Sequence, residues 1–297
     1  MTTPREPDLA AITALLRRWI GERLDAAAAA WATAAIDELA STPADARLYR
    51  LFGEVVTRCG TADLAPTSAD LADADAARPG WDPRDWSIDQ VVRLALLLAT
   101  AGPAPSAEDC RRFGERLDML IRTADVRELV TLHRGWPLQP DAAAHAARAQ
   151  LGCRSNITPV FEAVAHRNPY PAETFAEGPW NHMVLKALFV GSRLDPIVGL
   201  ESRANPRLTA MLRQYAGERR AASRPVSPEL WRCVGVAPDA GSLDDLLAVL
   251  RGGEEAERRA AVLALRRMGG EAARAARTLA PELDADAAAG AFGWPDL

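Results

Sequence analysis

Side chains able to do chemistry crowd into one stretch of this 297-residue sequence, roughly Arg154 to Val234, at a density that packing alone does not demand. Its sharpest pair is His182 and Lys186, four residues apart and therefore on one face of a helix expected to begin near Pro179. Met183, Ala187 and Val190 form an apolar stripe beside that face. Of the 35 basic residues, 34 are arginine and only Lys186 is lysine. A lysine against a buried stripe can hold an anion or, once desolvated, act as a base or amine nucleophile, which makes Lys186 and His182 the candidate catalytic pair. The same side chain can instead lay its stem on the stripe and keep its head in water.

Arg203, Asn205, Tyr215, Glu218 and Arg219 follow, with Tyr215 one helical turn before Glu218 and Arg219. A planar guanidinium fork suits a phosphate or carboxylate. These residues equally suit a structural network in which Glu218 offsets an arginine and Asn205 caps a helix. Arg154 and Asn156 precede the helix start at Thr158-Pro159 and can join the same cleft. Trp231 and Arg232, after Ser227-Pro228, can close it from the other side. Asn181 lies about 100° round a helix from Trp180, so one of them faces the core and the other a groove or a hydrogen-bonded contact. The run Asn168-Pro169-Tyr170-Pro171 is expected to be rigid and extended, setting Tyr170 either on a cleft wall or inward as part of a stiff connector. If all these groups converge, they frame a site for a polar, anionic small molecule against aromatic walls.

Other chemistries find no support. Glu162 and His166 share a helix face, but His133 and His145 lie elsewhere and no HExxH occurs, so no metal is assigned. GxGxxG, P-loop, GxSxG and DDxxD patterns are absent, so the motifs leave any cofactor unknown. Cys59, Cys110, Cys153 and Cys233 form no CxxC pair and are expected to be buried free thiols. A net charge of −5 without basic runs argues against nucleic acid as a partner. The first residues lack a positive segment followed by an apolar stretch, and VVRLALLLATAG is too short to span a bilayer. The expectation is a cytoplasmic protein that does not span a membrane.

The elements that must position these groups are helical. Leu9, Ile12, Leu15, Leu16 and Trp19 make one buried stripe, Asp25 to Leu39 forms an alanine-rich second helix, and a third runs from about Ala44 to Cys59, stopped by Gly60. Thr61 to Arg84 has weak periodicity and is expected to be a long surface loop, tacked down by Trp81 and Trp86. Ser87 with Gln90 and Ser106 with Asp109 are reciprocal caps, and Thr158, Asn205 and Ser227 each stand before a proline suited to a first helical turn. No alternating β-branched run is long enough for a strand. The fold expected is all-α, an irregular helical array with HEAT-like hairpins. It divides into an N-terminal helical region (1–100), a central region (101–235) and C-terminal HEAT-like helices (236–297), with Phe292 and Trp294 able to dock the tail.

Three stretches of the central region, RSNITPVFEAVAHRNPYPAETF, WNHMVLKALFVGSRLDPIVGLESRANPRLTAMLRQYAGERRAA and RPVSPELWRCVG, resemble the defining motifs of the EboA family. The resemblance implies a genetic context of secondary-metabolite pathways, beside UbiA-type prenyltransferases and TatD-like hydrolases, and does not itself imply a reaction. Two readings follow. One is an accessory or small-molecule-binding protein of such a biosynthesis or export pathway, partnered by a pathway intermediate or a pathway protein. The other is an enzyme acting on a phosphorylated, cyclitol-like or prenylated intermediate in a central cleft around Lys186.

Overall fold

The computed structural model describes residues 5–297. Among the described residues the regular elements are all helices, with one isolated bridge between Asp63 and Ser87 and no strand, so the fold is all-α as the periodicity predicts. The chain forms two compact units, one ending at Ala176 and the other spanning Glu177–Leu297.

The first unit contains α1 (Leu9–Arg23), α2 (Ala26–Ser41), α3 (Asp45–Cys59), α4 (Ser68–Ala77), α5 (Ile88–Ala99), α6 (Ala107–Thr123), α7 (Val126–Arg134), α8 (Ala146–Cys153), α9 (Thr158–Ala165) and α10 (Tyr170–Thr174). The expected stripe on α1 is buried throughout. Every residue of α5 is buried, Asp89, Gln90 and Arg93 included, under cover that α1, α2, α3 and α7 supply. Its two interior charges neutralise each other, with Arg93 Nη1 donating to Asp89 Oδ2 at 2.6 Å, and Arg127 adds a second donor to Asp89 at 2.9 Å.

Three local expectations are corrected. The segment Thr61 to Arg84 is not all loop, since α4 lies within it. Thr67 and Asp70 cap that helix reciprocally, and the buried Asp70 carboxylate also accepts from the Trp19 indole at 2.8 Å and from Arg23 at 2.5 Å. The tertiary anchor compensates for the weak periodicity. Trp81 and Trp86 pack inward as expected, Trp81 lying 5.5 Å from Trp19. The Asn168 to Pro171 run is not extended either. Pro169 sits at φ −72°, ψ −18°, and α10 starts directly after it. A proline's fixed φ suits a first helical turn as well as an extended chain, and Asn168 Oδ1 tips the balance by accepting from the Tyr170 N–H at 3.1 Å. Finally, Thr158 lies inside α9 rather than before it, Ile157 being the boundary residue. Ser227 likewise stands off α13, where Glu229 is the boundary.

The second unit contains α11 (Glu177–Phe189), α12 (Pro206–Ala221), α13 (Leu230–Val236), α14 (Ser242–Gly252), α15 (Glu255–Met268), α16 (Gly270–Arg277) and α17 (Pro281–Ala288). The caps predicted at Ser106 and Asn205 are present, Asn205 Oδ1 accepting from Leu208 N at 2.9 Å. α13 packs closely on α15 because position 235 is glycine. A Cβ there would come within 2.6 Å of the Ala264 carbonyl oxygen. Phe292 and Trp294 dock the tail under Arg259 and Arg232, at 5.2 Å and 5.9 Å.

Candidate functional site

One ligand-sized space in the first unit is a cavity of about 370 Å³ lined by residues of α6 to α9. Ile121, Leu129, Leu151 and Val160 give it apolar walls. Leu151 is 61% exposed, unusually so for a leucine, and Ile157 nearby in sequence is also exposed. Val130, Val160 and Ala163 join α7 to α9 behind it.

The cavity's polar lining is already organised. Arg148 forks onto Asp118, Nε to Oδ1 at 2.6 Å and Nη2 to Oδ2 at 2.7 Å. That pairing pulls the Asp118 carboxyl below its ordinary pKa and raises Arg148. The two charges therefore cancel locally. His133, buried at the end of α7, accepts the Trp136 indole N–H on Nδ1 at 3.0 Å. The Nδ1–Cε1–Nε2 edge of its ring comes close to α8 at Gly152, where a Cβ would sit 2.5 Å from His133 Cε1. Burial pushes the imidazole pKa down to about 4, so the ring is neutral near pH 7 with its proton on Nε2. Arg122 and Ser155 complete the lining, so the space combines apolar walls with a paired Arg148 and Asp118, a neutral imidazole, a hydroxyl and a further guanidinium.

On the other flank of the packed α7–α9 pair, Arg134 and Glu162 line a smaller polar cleft of about 80 Å³ with Asp82, Asp85, His166 and Arg167. Asn168 ties its base together, Nδ2 donating to the carbonyl oxygens of His133 and Ala163, each at 3.1 Å. Arg167 holds a left-handed backbone conformation at φ 49°, uncommon for a residue with a Cβ. No group of three or more metal-ligating side chains occurs among the described residues.

The residues singled out from the sequence fall in both units. In the first, Arg154 and Asn156 are exposed on either side of Ser155, which lines the apolar cavity. Tyr170 is buried, its hydroxyl donating to the Ala142 carbonyl oxygen at 2.5 Å, and burial drives the phenol pKa upward. In the second unit, Asn181 and Asn205 exchange amide hydrogen bonds of 3.1 Å and 2.9 Å, which satisfy the buried Asn181 side chain, and Trp180 beside it in sequence is buried as well. Arg203 stacks over Trp180 at 4.8 Å, and burial lowers its pKa. His182 is exposed and Lys186 half-buried on α11, followed one turn later by Phe189, which is 77% exposed. The Tyr215 hydroxyl donates to the Leu188 carbonyl oxygen at 3.3 Å. Arg219 lies 6.0 Å from the Tyr215 ring and bonds the Pro225 carbonyl oxygen, while Glu218 accepts from Gln214 at 2.9 Å. Trp231 is buried beneath Arg220, and Arg232 donates to Asp195 and Glu201, both at 2.8 Å.

Sequence reasoning missed the apolar cavity. Its one local signal is His133, three residues after the buried Val130 and three before Trp136, on a stripe that otherwise takes apolar side chains. Arg148, Asp118 and Gly152 come from other helices, and nothing in their own neighbourhoods marks them.

In comparisons with known proteins, a family described as metabolite traffic protein EboA matches residues 12–235. No curated protein and no solved structure matches the chain.

Proposed function

Since the chain belongs to the EboA family of metabolite traffic proteins, we propose that it is a small-molecule-binding accessory protein of a secondary-metabolite pathway, holding a pathway intermediate in the apolar cavity between α6 and α9. The observation that carries this reading is the cavity itself, about 370 Å³ with apolar walls from Ile121, Leu129, Leu151 and Val160, and with the paired Arg148 and Asp118, the neutral His133, Ser155 and Arg122 as its polar lining. Such a space favours a molecule with an apolar body and acceptor oxygen or nitrogen atoms to meet the donors of His133, Ser155 and Arg122. Burying about 200 Å² of apolar ligand surface contributes roughly 5 kcal/mol before the costs of immobilisation. That suits a carrier, which must release what it holds.

The test is uptake by the purified protein of an environment-sensitive apolar fluorophore, compared with Val160→Trp, which fills the chamber. Binding weakened at least about tenfold in a variant that still melts cooperatively is the expected result. Equal binding by both proteins would sink this placement of the ligand.

A second reading is turnover of a polar or anionic intermediate, with Lys186 and His182 as reacting groups and the nearby arginines as anchors. It is favoured by their shared face on α11, where the chain's only lysine stands four residues after an exposed histidine. Protein incubated with a carbonyl-bearing probe and then reduced would gain mass at Lys186 if that amine is nucleophilic. Labelling spread over the N-terminal amine alone would count against it.

A further inference from the structure

The polar cleft beside α9 contains an arginine whose hydrogen bonding is half spent. Arg134 makes both of its hydrogen bonds through one nitrogen, Nη1, which donates to the Asp85 carbonyl oxygen and to Gln90 Oε1 at 2.8 Å. Both acceptors are neutral. Among the described residues no carboxylate lies within ion-pair distance of this guanidinium, and Nε and Nη2 carry no hydrogen bond. Of the three carboxylates that line the cleft, Asp85 and Asp82 are engaged by other arginines. Asp85 accepts from Arg167 Nε at 2.6 Å, and Asp82 pairs with Arg84 at 2.8 Å and Arg167 at 3.5 Å.

We propose that the Nε–Nη2 edge of Arg134 is a binding site for the carboxylate group of a small molecule. Those two N–H groups point the same way and are spaced to meet the two oxygens of one carboxylate. Burial of the guanidinium outweighs the attraction of Asp85, Glu162 and Asp89, with Arg167 repelling it, so its charge is under-compensated as it stands. An anion on the open edge relieves that deficit. Size and sign restrict the ligand further. A space of about 80 Å³ has room for a few heavy atoms, given that one water occupies about 30 Å³ of liquid. Glu162 in the same lining repels a dianion more than a monoanion. The cleft is therefore suited to a carboxylate terminus rather than to a phosphate, and it is separate from the apolar chamber, since the packed α7–α9 pair stands between Val160 on one side and Glu162 on the other.

The test is a titration of the full chain with sodium acetate at constant ionic strength, following the Arg134 Nε–H resonance, assigned by its loss in Arg134→Lys, and the indole N–H of Trp86, which lines the cleft. Both resonances are expected to shift saturably with acetate and not with neutral acetamide. In Arg134→Lys the concentration that half-saturates the Trp86 shift rises about tenfold or more, the loss expected for a bidentate charged pair. Glu162→Gln removes the repelling charge and lowers that concentration at least about twofold, which keeps the proposal testable should the arginine variant fold poorly. Equal responses to acetate and acetamide, no saturation, or an unchanged half-saturation in Glu162→Gln would overturn it.

Discussion

His133 accepts the indole N–H of Trp136 on Nδ1 at 3.0 Å, and that bond assigns the proton of the neutral imidazole to Nε2. The ring is buried between α7 and the bare backbone at Gly152, where burial holds its pKa near 4 against an ordinary value of 6.5.

A pH dependence of stability follows from that depression. The native state keeps His133 neutral while the unfolded chain takes up a proton below pH 6.5, so the stability it contributes is present above that pH and is lost as pH falls from 6.5 toward 4. At 1.36 kcal/mol per unit, the loss amounts to at most about 3 kcal/mol. Urea unfolding at pH 7, 5.5 and 4.5 is expected to show a steeper decline in the wild type than in His133→Gln, which keeps an acceptor for Trp136 and cannot charge. Parallel declines would mean that His133 does not titrate as described.

Gly152→Ala places a methyl group 2.5 Å from His133 Cε1. The expected cost is about 1–3 kcal/mol, the usual range for overpacking a tight contact. The clash disappears if the ring is removed, so the substitution is expected to be nearly harmless in a His133→Ala background. A double-mutant cycle in denaturant measures this directly, and additive effects would show that the two residues do not meet.

Replacing Asn181 with leucine leaves the Asn205 amide without its reciprocal partner, while Asn205 still caps α12. A loss of about 1–3 kcal/mol is expected from a half-satisfied buried amide pair. Replacing both asparagines, with serine at 205 to retain the cap, should restore part of it. If Asn181→Leu instead leaves the melting temperature unchanged, the pair is not structural.

Lys186→Ala is expected to leave the far-ultraviolet circular dichroism unchanged, because the side chain stands half-buried on α11 outside the core positions Met183, Val184 and Ala187. Under the enzymatic reading it abolishes pathway function while preserving uptake of the apolar fluorophore. Loss of helix signal would mark Lys186 as structural. Unaltered pathway function would remove it from the chemistry.

What local chemistry dictates was legible in the chain. The stripe from Leu9 to Trp19 demanded a buried helix, Ser106 with Asp109 and Asn205 before Pro206 announced helix starts, and motifs in the central region pointed to the family to which the chain belongs. These signals act over a few residues, through spacing and through satisfaction of the nearest backbone groups.

The tertiary structure decided the rest. Alanine-rich α4 is a helix because its capping Asp70 is also gripped by Trp19 and Arg23 from α1, and the Asn168 to Pro171 run turns instead of extending because Asn168 binds both its own chain and the end of α7. The apolar chamber depends on Gly152 meeting His133 and on Arg148 meeting Asp118, pairs brought together from separate helices. Helical periodicity states which face of each segment is buried. It carries no record of which other segment will cover that face, and a site built between helices exists only once that choice is made.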